Sequence, residues 1–147
     1  MNELTRHKAK ENRSMIKYML DTNIVIYVIK RRPVEVLEKF NSNAGRMVIS
    51  SITLAELMHG AEKSKFVEKN TRVVEDFISR LDVLNYDEKA AFHYGSIRAD
   101  LEKKGITIGV NDLHIAGHAR SSGLVVVTNN VNEFNRVNGL IVENWIV

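Results

Sequence analysis

MIKYMLDTNIVIYVIK, residues 15–30, changes its period in the middle, and that change decides the fold. Ile16 to Leu20 is a short apolar run of strand length, Asp21 follows it directly, and Thr22 to Lys30 has the spacing and length of a helix capped by Asp21 or Thr22. A strand feeding straight into a helix is half of a βα unit. The same alternation recurs downstream. Pro33 suits the first turn of a helix through about Phe40, and Met47 to Ser50 is the next short strand. Ser51 or Thr53 is placed to cap a helix to about Gly60, with Leu54, Leu57 and Met58 on one face and Glu56 within it. Val67, Val73, Val74, Phe77, Ile78 and Leu81 repeat at helical steps before a strand at 82–85. Ala90, Tyr94, Ile97 and Leu101 mark the inner face of a helix over 88–104 that Gly105 ends. Asn111 opens another helix to Ser122, closed by Gly123. Leu124 to Val127 is so uniformly apolar that it reads as a central strand buried on both faces, and Ile141, Val142 and Trp145 make a last strand. The expected architecture is α/β, with a mostly parallel sheet of four or five strands.

Composition narrows the class. At 147 residues there is room for one core, and 44% apolar with 27% charged residues is ordinary globular usage. Cysteine is absent, so neither a disulfide framework nor a thiolate metal site is available, and a cytoplasmic location is the simpler expectation. No stretch has the ~18 apolar residues of a membrane span. Residues 1–14 lack apolar periodicity and read as a flexible extension ahead of a domain over 15–147. They also carry +2 of the net charge of +3, which leaves the body nearly neutral. Polyanion binding would therefore rest on a local patch, for which Arg31, Arg32, Lys103, Lys104, Arg120 and Arg136 are the candidates.

Three acids fall where an α/β sheet builds its site: Asp21 after the first strand, Glu56 on the helix after the second, and Asp112 at a helix start. Ligands bind such sheets beyond the carboxyl ends of the strands, where strand order reverses. Converging carboxylates raise one another's pKa and call for a divalent cation, and oxygen-only donors favour Mg²⁺ or Mn²⁺. Each acid also has a plain reading: Asp21 as a cap, Asp112 as a charge favouring the helix dipole, Glu56 as a solvated surface group. His114 and His118 stand four apart on one helix, but no Glu follows His114 as a zinc-peptidase motif requires. An aspartate nucleophile of the phosphohydrolase kind would want a second Asp where Asn23 stands. A silent RNA- or protein-binding module is the non-enzyme alternative. The small residues Ala116, Gly117 and Ala119 suit close helix packing, and His59 and His93 stand alone.

Four strings in register lift the ambiguity. YMLDTNIVIY (18–27), SSITLAELMHGAEKS (50–64), IGVNDLHIAGHARSSGL (108–124) and VVVTNNVNEF (125–134), followed by VNGLIVENW (137–145), resemble the PIN-domain family and specifically its VapC-type toxins of type II toxin–antitoxin pairs. The resemblance implies a PIN-like three-layer sandwich and a Mg²⁺-dependent endoribonuclease of tRNA class, inhibiting translation. It also implies a homodimer neutralised by a VapB-like antitoxin. Carried over residue by residue, Asp21 and Asp112 match the metal-binding aspartates and Glu56 the acid that completes the cluster. Where many PIN domains have a fourth acid, Asn130 stands, with Glu133 as a nearby substitute. Thr128 and Asn130 are candidates to orient water or touch the phosphate.

Overall fold

Tyr18–Leu20 forms β1, with all three side chains buried, and every other layer is arranged around it. The computed structural model describes residues 15–146. The extension expected at 1–14 therefore lies outside the described residues. Among those described, β2 is Met47–Ser50, β3 Asp82–Leu84, β4 Val125–Val127 and β5 Val142–Glu143. The sheet order is β3-β2-β1-β4-β5, and every pairing is parallel. The chain steps outward from β1 through β2 to β3, then returns to the other side of β1 for β4. Strand order thus reverses between β1 and β4, which opens a crevice beyond their carboxyl ends.

The helices are α1 Thr22–Lys30, α2 Val34–Ser42, α3 Ser51–Glu62, α4 Val67–Ile78, α5 Glu88–Lys104, α6 Val110–Ser121 and the short α7 Val131–Phe134. Side-chain alternation along the strands sorts them into two layers. Tyr18, Leu20, Met47, Ile49, Val125 and Val127 pack with Ile24, Val28, Val36, Phe40, Leu57 and Phe77, the buried faces of α1 to α4. Met19, Val48 and Val126 point the other way, into Ile97, Leu101, Leu113, Ile115, Ala119 and Phe134 of α5, α6 and α7. Two cores on opposite faces of one sheet make the expected three-layer sandwich. Trp145 lies beyond β5, fully buried against Tyr18 with ring centroids 5.3 Å apart, so it plugs the first core instead of extending the last strand.

Other boundaries differ from the sequence reading by a residue or two, for local reasons. Ser50 caps α3, its hydroxyl accepting from the Ile52 N–H at 3.1 Å, so the cap falls one residue earlier than Ser51. The helix with Asp112 starts at Val110 after Gly109, which supplies no side-chain cap. Gly105 and Gly123 close α5 and α6 in left-handed conformations, φ 66° and 67°, which only glycine adopts without strain. Among the described residues no helix is long and apolar enough to cross a membrane.

Gly117 lets α6 approach the backbone of α5. A Cβ there would stand 2.9 Å from the Tyr94 nitrogen and 3.1 Å from the Ala90 oxygen, both backbone atoms. Gly117→Ala must therefore push α5 away, and we expect a loss of roughly 1–3 kcal/mol, read as a lower denaturation midpoint at constant slope. An unchanged midpoint would mean the helices separate at little cost.

Candidate active site

The crevice at the strand reversal is a cleft of about 420 Å³ lined by Asp21, Thr22, Asn23, Ile26, Glu56, His59, Gly60, Lys63, Asn111 and Asp112. Asp21 reaches it because β1 ends there. The main-chain ladder to β4 continues through the Asp21 N–H to the Val127 carbonyl at 2.9 Å, which pins the residue at the end of the central strand. Its carboxylate is almost wholly buried yet fully satisfied: Oδ1 accepts the Thr22 N–H at 2.8 Å and Oδ2 accepts the Thr128 hydroxyl at 2.8 Å. Burial raises its pKa, the hydrogen bonds from Thr128 and Thr22 pull it back, and the charge of Glu56 raises it again.

Glu56 lies one and a half turns into α3, and its Oε1 accepts the Thr22 hydroxyl at 2.8 Å. Thr22 therefore touches both carboxylates, Asp21 through its N–H and Glu56 through its hydroxyl. Asp112 sits in the first turn of α6. Its pKa is raised from 3.8 to about 6 by burial first, then by the charges of Asp21, Glu56 and Glu133. The three predicted acids thus meet in one cleft, with Glu133 close enough to be felt. Thr128 is fully buried, and its hydroxyl donates to Asp21 while accepting the Asn130 N–H at 2.9 Å. It touches the carboxylate rather than anything in the cleft, and Asn130 stands just before α7, outside the cleft lining.

The donor set fits a hard divalent cation: three carboxylates, all oxygen, with Asp21 and Asp112 raised in part by neighbouring acid charge and no Lys or Arg ion-paired to the three among the described residues. They are not yet closed into a cage. Among the described residues no three acidic or imidazole groups already stand as an ion site, and Glu56 is held by Thr22 instead. The histidine pair is committed elsewhere. His114 Nδ1 bonds the Tyr86 hydroxyl at 2.8 Å, and buried His118 bonds the Ser50 hydroxyl at 2.7 Å with its pKa lowered by burial. The six arginines and lysines offered as an RNA path do not line the cleft; Arg120 is spent on His93 and the Asn138 carbonyl, and Arg136 on the Thr107 carbonyl. Sequence reasoning passed over His59 and Lys63, although their steps of three and seven from Glu56 place them on its helical stripe.

Asp112 offers a test free of any assumed activity. Below pH ~4 its carboxyl is protonated folded or unfolded; as pH climbs through about 6, the folded chain must carry a charge in an unfavourable place. Stability of the cation-free protein should fall across that window. Asp112→Asn should remove this dependence and stabilise the cation-free fold at pH 7 by roughly 1–2 kcal/mol, discounted for solvent screening at a half-buried site, or a few degrees in Tm. A lower Tm instead would assign Asp112 to the helix-dipole role its position also allows.

Residues 18–140 match the PIN domain family. Among curated relatives, the chain is 62% identical over 132 residues to ribonuclease VapC2 of Haemophilus influenzae, covering 90% of this chain and all of that one. It is 57% identical to the tRNA(fMet)-specific endonuclease VapC of Shigella flexneri, covering 89% of this chain and 99% of the other. Among solved structures, the DNA-bound VapBC of Salmonella typhimurium superposes with a TM-score of 0.85 at 58% identity, covering 89% and 99% of the two chains. The DNA-bound VapBC2 of Rickettsia felis follows at 0.83 and 44%, covering 88% and 99%. The chain belongs to the PIN-domain family and, within it, to the VapC-type ribonucleases.

Proposed function

We propose that this chain is the ribonuclease toxin of a toxin–antitoxin pair, a Mg²⁺-dependent endonuclease acting on tRNA in the cytoplasm and silenced by a VapB-like antitoxin. The observation that carries the reading is the convergence of Asp21, Glu56 and Asp112 on one cleft at the strand reversal, where burial and neighbouring acid charge raise the pKa of Asp21 and Asp112. Identity of 57% to a tRNA(fMet)-specific endonuclease supports the tRNA class, and structural likeness to VapBC complexes supports the antitoxin partner. A homodimer is part of the same proposal.

Asp21 and Asp112 would hold the metal, with Glu56 completing the set; Mn²⁺ has the same oxygen preference and could replace Mg²⁺. A divalent cation bound there supplies water of lowered pKa and neutralises charge on the scissile phosphate. The remaining work belongs to the chain. Thr128 and the Thr22 N–H fix both oxygens of Asp21, so the carboxylate is held correctly turned and its charged form is favoured against the effect of burial. The Thr22 hydroxyl holds Glu56 toward Asp21. Thr128 is therefore a positioning residue, while Asn130 orients Thr128 through its N–H. Asn23 lines the cleft as a neutral amide, without the acid that an aspartyl phosphohydrolase needs. Attack by water in line with the leaving group leaves a 5′-phosphate and a 3′-hydroxyl without using the RNA 2′-hydroxyl.

Purified protein free of antitoxin should cut total RNA into discrete fragments with Mg²⁺, and neither with EDTA nor as the Asp21→Asn variant. A folded wild-type protein that leaves tRNA whole would overturn the reading. Thr128→Val keeps the shape but strips Asp21 of a donor. It should lower the cleavage rate about 10–100-fold and raise the Mg²⁺ needed for half-maximal rate; wild-type values would deny Thr128 its positioning role.

A further inference from the structure

Helix α3 brings more than Glu56 to the cleft. Glu56, His59, Gly60 and Lys63 follow one another at i, i+3, i+4 and i+7, and all four line it, which is a single stripe of an α-helix. Helical Cα–Cβ bonds tilt toward the N-terminus, so the imidazole of His59 and the ammonium arm of Lys63 lean back toward Glu56. Between them Gly60 has nothing within 4 Å of the place a Cβ would take, so no side chain walls off the passage. The other charged residues of the lining, Asp21, Glu56 and Asp112, are all acidic. Lys63 makes no ion pair among the described residues.

An RNA strand entering this cleft meets three carboxylates that repel it, and a bound cation offsets only part of that charge at the scissile phosphate. The seven residues from Glu56 to Lys63 span about 10 Å along the helix axis. That distance separates the two backbone positions, so an arm leaning back along the helix puts its ammonium beside the acid cluster, where the strand enters or leaves. A compact cation on a flexible stem suits a backbone phosphate, to which it donates as a point charge. We propose that Lys63, with His59 one turn before it, holds an RNA phosphate flanking the scissile one and so sets the direction in which the strand crosses the cleft. The proposal rests on the nuclease reading above.

The competing account is local. Lys63 is the C-cap residue of α3, its N–H bonded to the His59 carbonyl at 3.1 Å, and a cation there favours the helix dipole. That role would appear in stability and nowhere in RNA affinity. The experiment compares wild type, Lys63→Gln and Lys63→Arg in cleavage of unfractionated tRNA between 50 and 200 mM salt, roughly the span over which phosphate contacts are read. Each Lys63 change is also placed in the Asp112→Asn background to measure tRNA binding without turnover. We expect Lys63→Gln to raise KM about five- to tenfold with a smaller change in kcat. It should also flatten the plot of log affinity against log salt by ~0.7–0.9, the value of one lost phosphate contact, with Lys63→Arg restoring most of both. Wild-type KM and salt slope in Lys63→Gln, or a loss confined to kcat or to Tm, would overturn the assignment while leaving the nuclease intact. Wild type that neither cuts nor binds tRNA would bring down the nuclease reading, and this proposal with it.

Discussion

A carboxylate must be accommodated at the buried end of a central strand, and much of this molecule serves that requirement. Asp21 is 2% exposed, and an ionised group taken that far from water survives only when hydrogen bonds and counter-charge replace hydration. One oxygen is met by the start of α1, which exists because the chain turns from strand to helix at that residue. The other is met by Thr128, 107 positions away, whose hydroxyl arrives because β4 pairs with β1 in register from Tyr18↔Val125 to Leu20↔Val127. A slip of one residue in that pairing would turn Thr128 to the opposite face. The parallel ladder is thus part of the site.

The same requirement creates tension that the fold contains without relieving. Asp112 is raised to about 6 partly by the acids around it, and the hydrogen bonds that steady Asp21 and Glu56 come from neutral donors of Thr22 and Thr128 rather than from cations. Two packing features hold the repelling helices in place. His118 on α6 bonds the Ser50 hydroxyl that also caps α3, tying together the helices that carry Asp112 and Glu56. Gly117 lets α6 sit against the backbone of α5 with no room to withdraw. Strain of this kind belongs at a functional site, where a ligand of opposite charge can release it.

Nearly all elements were readable in the chain, because amphipathic helices and short apolar strands have different periods, while the three-layer order was an expectation from the family resemblance. The helix at 88–104 and the strand at 47–50 fall where periodicity puts them. Caps were harder: Ser50, Ser51 and Thr53 can each donate or accept at a helix start, and only the backbone conformation, φ −72° and ψ 149°, selects Ser50. Trp145 was misplaced for a similar reason, since an apolar residue near a strand end can continue the strand or fold into the core.

What the sequence determined by itself was a βα chain with acids after its strands and, through four strings in register, the family to which it belongs. What only the tertiary structure decided was which groups meet. Thr22 bridging Asp21 and Glu56, Thr128 facing Asp21 instead of solvent, and Lys63 rather than the arginines lining the cleft all depend on distances between segments remote in sequence. Local propensity is written in neighbours a few residues apart, whereas a hydrogen bond across 107 residues is set by strand order and register, and these follow from how the two faces of the sheet are buried.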